Sequence, residues 1–132
     1  MTEAATAAHA MFDADVASRS LGIELLHAGD GRAAARMVVT AAMLNGHAIG
    51  HGGYVFLLAD TTFACACNSR GPVTVAAGAE ITFVRPVREG DVLVAEAAER
   101  TTYGRSGVYD VTVRRGDEVV AEFRGHSRTI GS

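Results

Sequence analysis

The longest apolar run in the chain predicts one long helix over residues 53–68. Its sequence, GYVFLLADTTFACACN, places small or apolar side chains on nearly every side of a helix, as is typical of a helix buried inside a domain. The Gly-rich segment MLNGHAIGHGG precedes it, and Asn68, Gly71 and Pro72 indicate its end. We expect this helix to form the centre of the fold.

The N-terminal third of the chain predicts a short helix and a strand. Residues 3–19 carry apolar side chains at near-helical spacing, with Thr2 as the candidate cap and Gly22 as the stop. The run GRAAARMVVT, from residue 31 to residue 40, predicts a first strand. The apolar positions of the helix are Ala8, Phe12, Val16 and Ala17.

After the long helix, four β-rich stretches follow one another with short links. They cover residues 73–85, 91–101, 106–115 and 118–129, and the turn signals RPVREGD, YGRSG and RGDE separate them. Such a succession predicts an antiparallel meander, so the fold class is α+β, with a sheet of about five strands curved around the helix. At least one strand would have an unpaired edge, which association of two or four chains would cover.

Composition sets limits on the function. The 132 residues fit a single domain, 48% are hydrophobic and 20% are charged, and the net charge of −3 argues against nucleic-acid binding. The N-terminus lacks the pattern of a signal peptide, and no apolar run is long enough to span a membrane. Cys65 and Cys67 point to different sides of the predicted helix and cannot pair with each other, so we expect reduced thiols and a cytoplasmic protein.

Asp60 is out of place in this apolar helix. It follows Leu57, Leu58 and Ala59, and Phe63 lies one turn further on. An ionised carboxylate among such neighbours costs several kcal/mol unless partners hold it. The position therefore indicates a functional carboxylate.

The sequence GHGG at residues 50–53 lies where the loop becomes the helix. Glycines let the backbone approach a ligand closely, and the first N–H groups of a helix have no partner within it. Such N–H groups can stabilise a carbonyl oxygen that becomes negative during acyl transfer. The alternative interpretation is a structural turn with a glycine cap.

Asp60 and Gly52 lie too far apart to act on one carbonyl within one chain. Eight residues separate them, about 12 Å along a helix. If two such helices lie antiparallel across a two-fold axis, Asp60 of one chain approaches Gly52 of the other, and each dimer has two shared sites. There the carboxylate would serve as a general base for water. The alternative is an interface aspartate that only caps or pairs across the dimer.

Three further residues near this helix can position a reactant. Asn45 offers a donor and an acceptor to water or a carbonyl, or else it forms an Asn-Gly turn. His51 orients the loop or helps to polarise the substrate carbonyl, and Thr61 bonds the reacting group or the helix backbone. His47 and His51 suggest zinc, but Ala48 stands where a metalloprotease motif needs Glu, so no metal is expected.

The arginines at strand ends and turns suit a substrate that carries several phosphates. Arg85, Arg88 and Arg105 lie in the segments FVRPVREG and YGRSG, and guanidinium groups bind phosphate through paired N–H groups. A solvated surface arginine is the alternative for each. No G-x-S-x-G motif occurs, so a serine triad is not expected.

These residues together resemble the hotdog-fold acyl-CoA thioesterases of the phenylacetic-acid-degradation (PaaI) type. The likeness rests on LNGHAIGHGGYVFLLADTTFACACNSRG at residues 44–71 and on the later stretches ITFVRP, GRSGVYDVTV and FRGHSRTIG. The resemblance implies a homotetramer built from two hotdog dimers and a ring-hydroxylated phenylacetyl-CoA substrate, with CoA as part of the substrate and no cofactor. It also implies roles for single residues: Asp60 as the catalytic carboxylate, Gly52 as the oxyanion donor, Asn45 and His51 as positioning residues and Thr61 as a helper.

Two other functions compete with thioester hydrolysis. A hotdog enoyl-thioester hydratase needs an acid and a base facing the substrate α and β carbons, and His51 with Asp60 could supply them. A non-catalytic acyl-CoA-binding module would not need a carboxylate at Asp60. Within hydrolysis, Asp60 is either a general base or a nucleophile that forms an anhydride.

Overall fold

The computed structural model describes residues 6–131 as a long helix against one antiparallel sheet. Two short helices, α1 (Ala7–Asp13) and α2 (Val16–Ser20), precede the long helix α3 (Gly52–Asn68). A 3₁₀ turn (Ala41–Met43) lies between the second strand and α3. Six strands form the sheet: β1 (Glu24–Gly29), β2 (Arg32–Val38), β3 (Thr74–Phe83), β4 (Val92–Tyr103), β5 (Ser106–Arg115) and β6 (Glu118–Thr129). The predicted central helix and the four strands after it are confirmed.

The N-terminal helix is divided in two, so the prediction of one helix over residues 3–19 is wrong. Thr6 caps α1 by accepting a hydrogen bond from the Ala8 N–H, whereas Thr2 lies outside the described residues. Asp15 then caps α2, because its carboxylate accepts from the N–H of Ser18 at 2.9 Å. An aspartate that bonds to the backbone ahead of it favours a new helix start over continuation of the old one.

The sheet has six strands, one more than expected, because β1 precedes the predicted first strand. The turn between β1 and β2 is Asp30-Gly31, with φ values of 53° and 76°. Two successive positive φ values fit the tight turn of a hairpin, for which Asp-Gly is a strong signal. The sequence ELLHAG of β1 lacks clean alternation, and its pairing with β2 is irregular between Leu25 and His27.

The strand order is β1-β2-β4-β5-β6-β3, so the predicted meander holds only for β4, β5 and β6. β3 pairs with β6, from Thr74 opposite Thr129 to Phe83 opposite Ala121, and it lies at an edge. The link from β3 to β4 is held at its start by a hydrogen bond from the Val84 N–H to the Val120 carbonyl, 2.8 Å. A short link predicts neighbouring strands, but this one crosses the sheet.

Helix α3 lies against the sheet and contacts all six strands. Leu58, Ala59 and Phe63 of the helix are completely buried. At its C-terminal end, the Asn68 side chain donates to the Thr74 carbonyl and accepts from the Thr74 N–H, at 2.9 and 3.0 Å. This clamp fixes the helix end to the start of β3. The arrangement is the hotdog fold that the resemblance implied.

Two properties of the described chain bear on its surroundings. Among residues 6–131, no helix combines the length and apolar character needed to cross a bilayer. The edge strand β3 leaves large apolar side chains in solvent, with Val75 43% exposed and Phe83 52% exposed. An edge of this kind is a surface for another strand.

We expect Gly125→Ala to destabilise the protein. A Cβ atom at Gly125 of β6 would lie 2.7 Å from the ring of Phe63, which Tyr109 and Phe123 hold in the core. Overpacking of this type costs about 1–3 kcal/mol, and chemical denaturation measures it. Gly46→Ala is the control, since a Cβ there meets nothing within 4 Å. Equal unfolding free energies for the two variants would contradict this packing.

Candidate active site

The loop before α3 is held by Asn45 and His51. The side-chain oxygen of Asn45 accepts from the His47 N–H at 2.8 Å and from the Ile49 N–H at 3.4 Å, so the predicted Asn-Gly turn is present. The side-chain nitrogen of Asn45 makes no hydrogen bond within residues 6–131 and is free to donate to a ligand. The Asn45 side-chain oxygen thus stabilises the loop, and its side-chain nitrogen remains available to a ligand.

His51 is the N-cap of α3. Its Nδ1 accepts from the Gly53 N–H at 2.9 Å, and its own backbone N–H donates to the Met43 carbonyl at 2.8 Å. Nδ1 must be unprotonated to accept, so any ring proton lies on Nε2. His51 therefore orients the start of the helix, one of the two roles considered from sequence.

The Gly52 N–H is the unsatisfied donor at this helix start. Within the described residues it makes no hydrogen bond, whereas the N–H groups of Gly53 and Tyr54 both bond to His51. The ring of Phe83 lies so close that a Cβ on residue 52 would be 2.8 Å from its Cζ. Glycine is needed here because the two groups approach so closely, and the N–H remains available to an oxygen atom.

A cavity of about 380 Å³ lies beside this free N–H. Asn45, Gly52 and Arg85 contribute to its wall, so the structure brings these three predicted residues together. Its size is that of a small-ligand pocket, and mostly apolar walls with a few polar groups are typical of such pockets. The apolar part of the wall consists of Ile49, Val55, Phe83, Val84, Pro86, Val87 and Val120.

Asp60 does not line this cavity. Its carboxylate is partly buried and forms no hydrogen bond or ion pair within residues 6–131. Burial raises the pKa of Asp60, and the negative charge of Asp15 raises it further. A carboxylate that binds its proton more tightly is a stronger base. Within one chain, the Asp60 carboxylate and the free N–H remain on separate parts of α3.

Thr61 points into the protein and not toward the cavity. It is 7% exposed, and its hydroxyl lies 2.7 Å from the hydroxyl of Ser18 on α2. Thr62 donates to the Leu58 carbonyl at 2.7 Å, as expected for a threonine within a helix. The contact of Thr61 with α2 was missed because sequence spacing does not show how the N-terminal helices pack on α3.

The three arginines predicted to bind phosphate do not form one cluster. Arg85 lies at the cavity, where it donates to the Val119 carbonyl at 2.6 Å and pairs with Glu118 at 3.5 Å. Arg88 is exposed in the link before β4. Arg105 lines a separate cleft of about 130 Å³ and donates to the Thr129 carbonyl at 3.4 Å. Only Arg85 is next to the proposed oxyanion donor.

The remaining reactive side chains are structural in this chain. Cys65 and Cys67 are buried and unpaired, and burial raises the pKa of both thiols to about 12, so neither is a ready nucleophile. In the part of the chain that the structure describes, no three His, Cys, Asp or Glu side chains are grouped so that they could hold a metal ion.

Comparison with known proteins connects this geometry to one family. The model of the thioesterase superfamily matches residues 47–122, which include the helix start and Asp60. The acyl-coenzyme A thioesterase PaaI of Escherichia coli K12 is 47% identical over 125 residues, 94% of this chain and 89% of the relative.

Two solved structures of PaaI proteins are similar to this chain in fold and in sequence. The structure of the E. coli PaaI protein from the phenylacetic acid degradation operon covers 96% of this chain and 92% of its own, with 46% identity and a TM-score of 0.92. A mutant of the phenylacetic acid degradation protein PaaI from Thermus thermophilus covers 86% and 97%, with 34% identity and a TM-score of 0.83.

We expect Asp60→Asn to stabilise the fold at neutral pH. Because the folded protein holds the proton of Asp60 more tightly than the unfolded chain, the ionised form destabilises the fold as pH rises above the ordinary aspartate range. Asparagine removes this charge. Thermal unfolding should show a higher melting temperature at neutral pH and no gain at acid pH, where Asp60 is already protonated.

The matched control is Asp13→Asn, at an exposed position on α1. It removes the same charge from the surface and should leave the melting temperature nearly unchanged at both pH values. A lower melting temperature for Asp60→Asn at neutral pH would mean that the carboxylate has a stabilising partner.

Proposed function

Because the chain belongs to the thioesterase superfamily, whose members hydrolyse thioesters, we propose that it is an acyl-CoA thioesterase acting on phenylacetyl-CoA-type substrates, including ring-hydroxylated ones. The observation that carries the proposal is the pair of unsatisfied groups on α3. One is the free Gly52 N–H beside an apolar cavity, and the other is the partly buried Asp60 carboxylate without a partner among the described residues. The relatives named for PaaI and phenylacetic acid degradation support the substrate class.

The proposed site is shared by two chains. Asp60 lies about 12 Å from Gly52 along α3, and it is absent from the cavity wall of its own chain. A two-fold axis that sets two α3 helices antiparallel would bring Asp60 of one chain to the Gly52 cavity of the other. The exposed edge strand β3, with Val75 and Phe83, supplies an apolar surface for this contact. Two such dimers would form the tetramer implied by the family.

The mechanism follows from the two groups. The Gly52 N–H, with the positive end of the α3 dipole, stabilises the negative charge that develops on the thioester oxygen. Asp60 of the other chain removes a proton from water, and the resulting hydroxide attacks the carbonyl carbon. The tetrahedral intermediate then expels the CoA sulfur, which receives the proton from Asp60. The products are the free acid and CoA.

The cavity wall supports an aryl or other apolar acyl group. Apart from Asn45 and Arg85, its side chains are apolar, and Phe83 offers a ring beside Gly52. An aromatic ring stacked edge to face on Phe83 would gain about 0.5–1.5 kcal/mol beyond its burial. Arg85 lines the same cavity and is the arginine proposed to pair with a CoA phosphate. Arg88 and Arg105 lie outside this cavity, so they would contact CoA only if the second chain or the length of the CoA chain brought a phosphate to them.

We expect Asp60→Asn to lower kcat for phenylacetyl-CoA by about 10²–10⁴-fold, since removal of a general base has that effect. Thiol release from a panel of aryl-acyl and alkyl-acyl CoA esters measures it, with Asp13→Asn as the control. Retained turnover would remove Asp60 from the mechanism. Tight acyl-CoA binding by the wild type without thiol release would indicate a binding module, and enoyl-CoA hydration would indicate a hydratase.

We expect activity to return when two inactive variants are mixed. Alanine at position 52 keeps the N–H, but its Cβ would lie 2.8 Å from Cζ of Phe83, so we expect the donor and the cavity wall to be displaced. Asp60→Asn and Gly52→Ala chains, refolded together in equal amounts, should form hybrid dimers in which one site has both defects and the other has neither. Random pairing makes half of the dimers hybrids, so about a quarter of wild-type activity should appear. Each variant refolded alone is the control. No recovery, with hybrid dimers shown to be present, would place both groups of a site on one chain.

A further inference from the structure

A hydrogen-bonded chain connects α2 to the residue next to Asp60. The carboxylate of Asp15 accepts from the Ser18 hydroxyl at 2.6 Å and from the Ser18 N–H at 2.9 Å. The Ser18 hydroxyl lies 2.7 Å from that of Thr61. Ser18 is 2% exposed and Thr61 is 7% exposed, so water does not compete for the bond between their hydroxyls. The two bonds to Asp15 are partly buried.

The direction of these hydrogen bonds is fixed by chemistry. A carboxylate only accepts, so the single hydroxyl hydrogen of Ser18 goes to Asp15. Thr61 must then donate its hydrogen to Ser18. Thr61 therefore cannot donate to a substrate at the same time, and its contribution is to hold Asp15 and α2 against this part of α3.

The charge of Asp15 also acts on Asp60. Its negative charge raises the pKa of Asp60 in addition to the effect of burial. On α3 itself, the thiol of Cys67 interacts with Asp60. Burial is the larger of the two effects on the pKa of Asp60, and the charge of Asp15 is the smaller.

We propose that Asp15 is a positioning residue for the hydrolysis, held by Ser18 and Thr61 so that its charge keeps Asp60 a stronger base. This inference rests on the proposed function, because only that function makes Asp60 a catalytic base whose strength affects the rate. The inference extends the site to α2 and to Asp15, the N-cap of α2, which both lie before the residues 47–122 that the family model matches. Asp15 acts through Asp60 and does not contact the substrate.

The test is Asp15→Asn, which keeps the shape and the side-chain oxygen that caps α2 but removes the charge. Carboxyl ¹³C NMR follows the titration of Asp60 directly, with its signal identified by its loss in Asp60→Asn. The titration midpoint of Asp60 should fall by about half a pH unit or more, because the repulsion from Asp15 is gone. Asp13→Asn, two residues away and exposed, should leave the midpoint unchanged.

Kinetics provide the second readout. In Asp15→Asn the acid limb of the kcat profile should move to lower pH, and kcat on the plateau should fall about twofold to tenfold with KM unchanged, since a weaker base removes a proton less readily. Ser18→Ala, which releases one of the bonds that hold Asp15, should shift the NMR midpoint in the same direction by a smaller amount.

The outcomes separate this inference from the proposed function. If the midpoint of Asp60 does not fall in Asp15→Asn, the inference is wrong, whatever the activity. If Asp15→Asn and Ser18→Ala lower only the melting temperature, the chain of hydrogen bonds is a structural tether and the inference is also wrong. If the midpoint falls but wild-type protein releases no thiol from acyl-CoA esters, the electrostatic coupling stands and the thioesterase proposal fails.

Discussion

A carboxylate without a partner on the central helix is the constraint from which the rest of the structure follows. Asp60 is partly buried beside Leu58 and Ala59, which are completely buried, and no hydrogen bond within the described residues compensates it. This cost has to be offset by packing elsewhere. Phe63, one turn further along, contributes to this packing. Its ring contacts Tyr109 of β5 and Phe123 of β6, and a Cβ atom at Gly125 would lie 2.7 Å from it.

The length of α3 imposes a second constraint. A helix presents its unsatisfied N–H groups only in its first turn, and here His51 occupies the N–H of Gly53, which leaves Gly52 as the donor. The Asp60 carboxylate, in the middle of the same rigid helix, cannot reach that donor. The proposed mechanism therefore needs a second copy of the chain as the source of the missing group. Strands β1 and β3 are the two edges of the sheet, and β3 is the one that carries Phe83 beside Gly52.

The main elements and part of the site could be predicted because their signals are local in the sequence. The apolar run of α3 and the turn signals between the later strands are local, and the loop before α3 carries Asn45 and Gly52 to one cavity. The errors depend on competing or distant contacts. Asp15 divides the N-terminal helix through a cap bond that competes with helix continuation, and β3 joins β6 through residues about forty to fifty-five apart in the chain. The link after β3, which crosses the sheet, also supplies Val84, Pro86 and Val87 to the apolar cavity wall. Arginines at turns, such as Arg88 and Arg105, follow no periodic pattern, so the sequence does not show where on the sheet they lie.

The position of Thr61 shows why side-chain direction matters for the assignment of roles. A threonine beside a catalytic carboxylate suggests a contact to the substrate. Here the next residue along the helix is turned by about 100°, and it faces the N-terminal helices, where Ser18 accepts its hydrogen and Asp15 accepts that of Ser18. The Asp60 carboxylate and the buried Thr61 hydroxyl therefore face different surroundings. In the proposed mechanism, α2 acts on Asp60 through the charge of Asp15, without any contact to the reacting atoms.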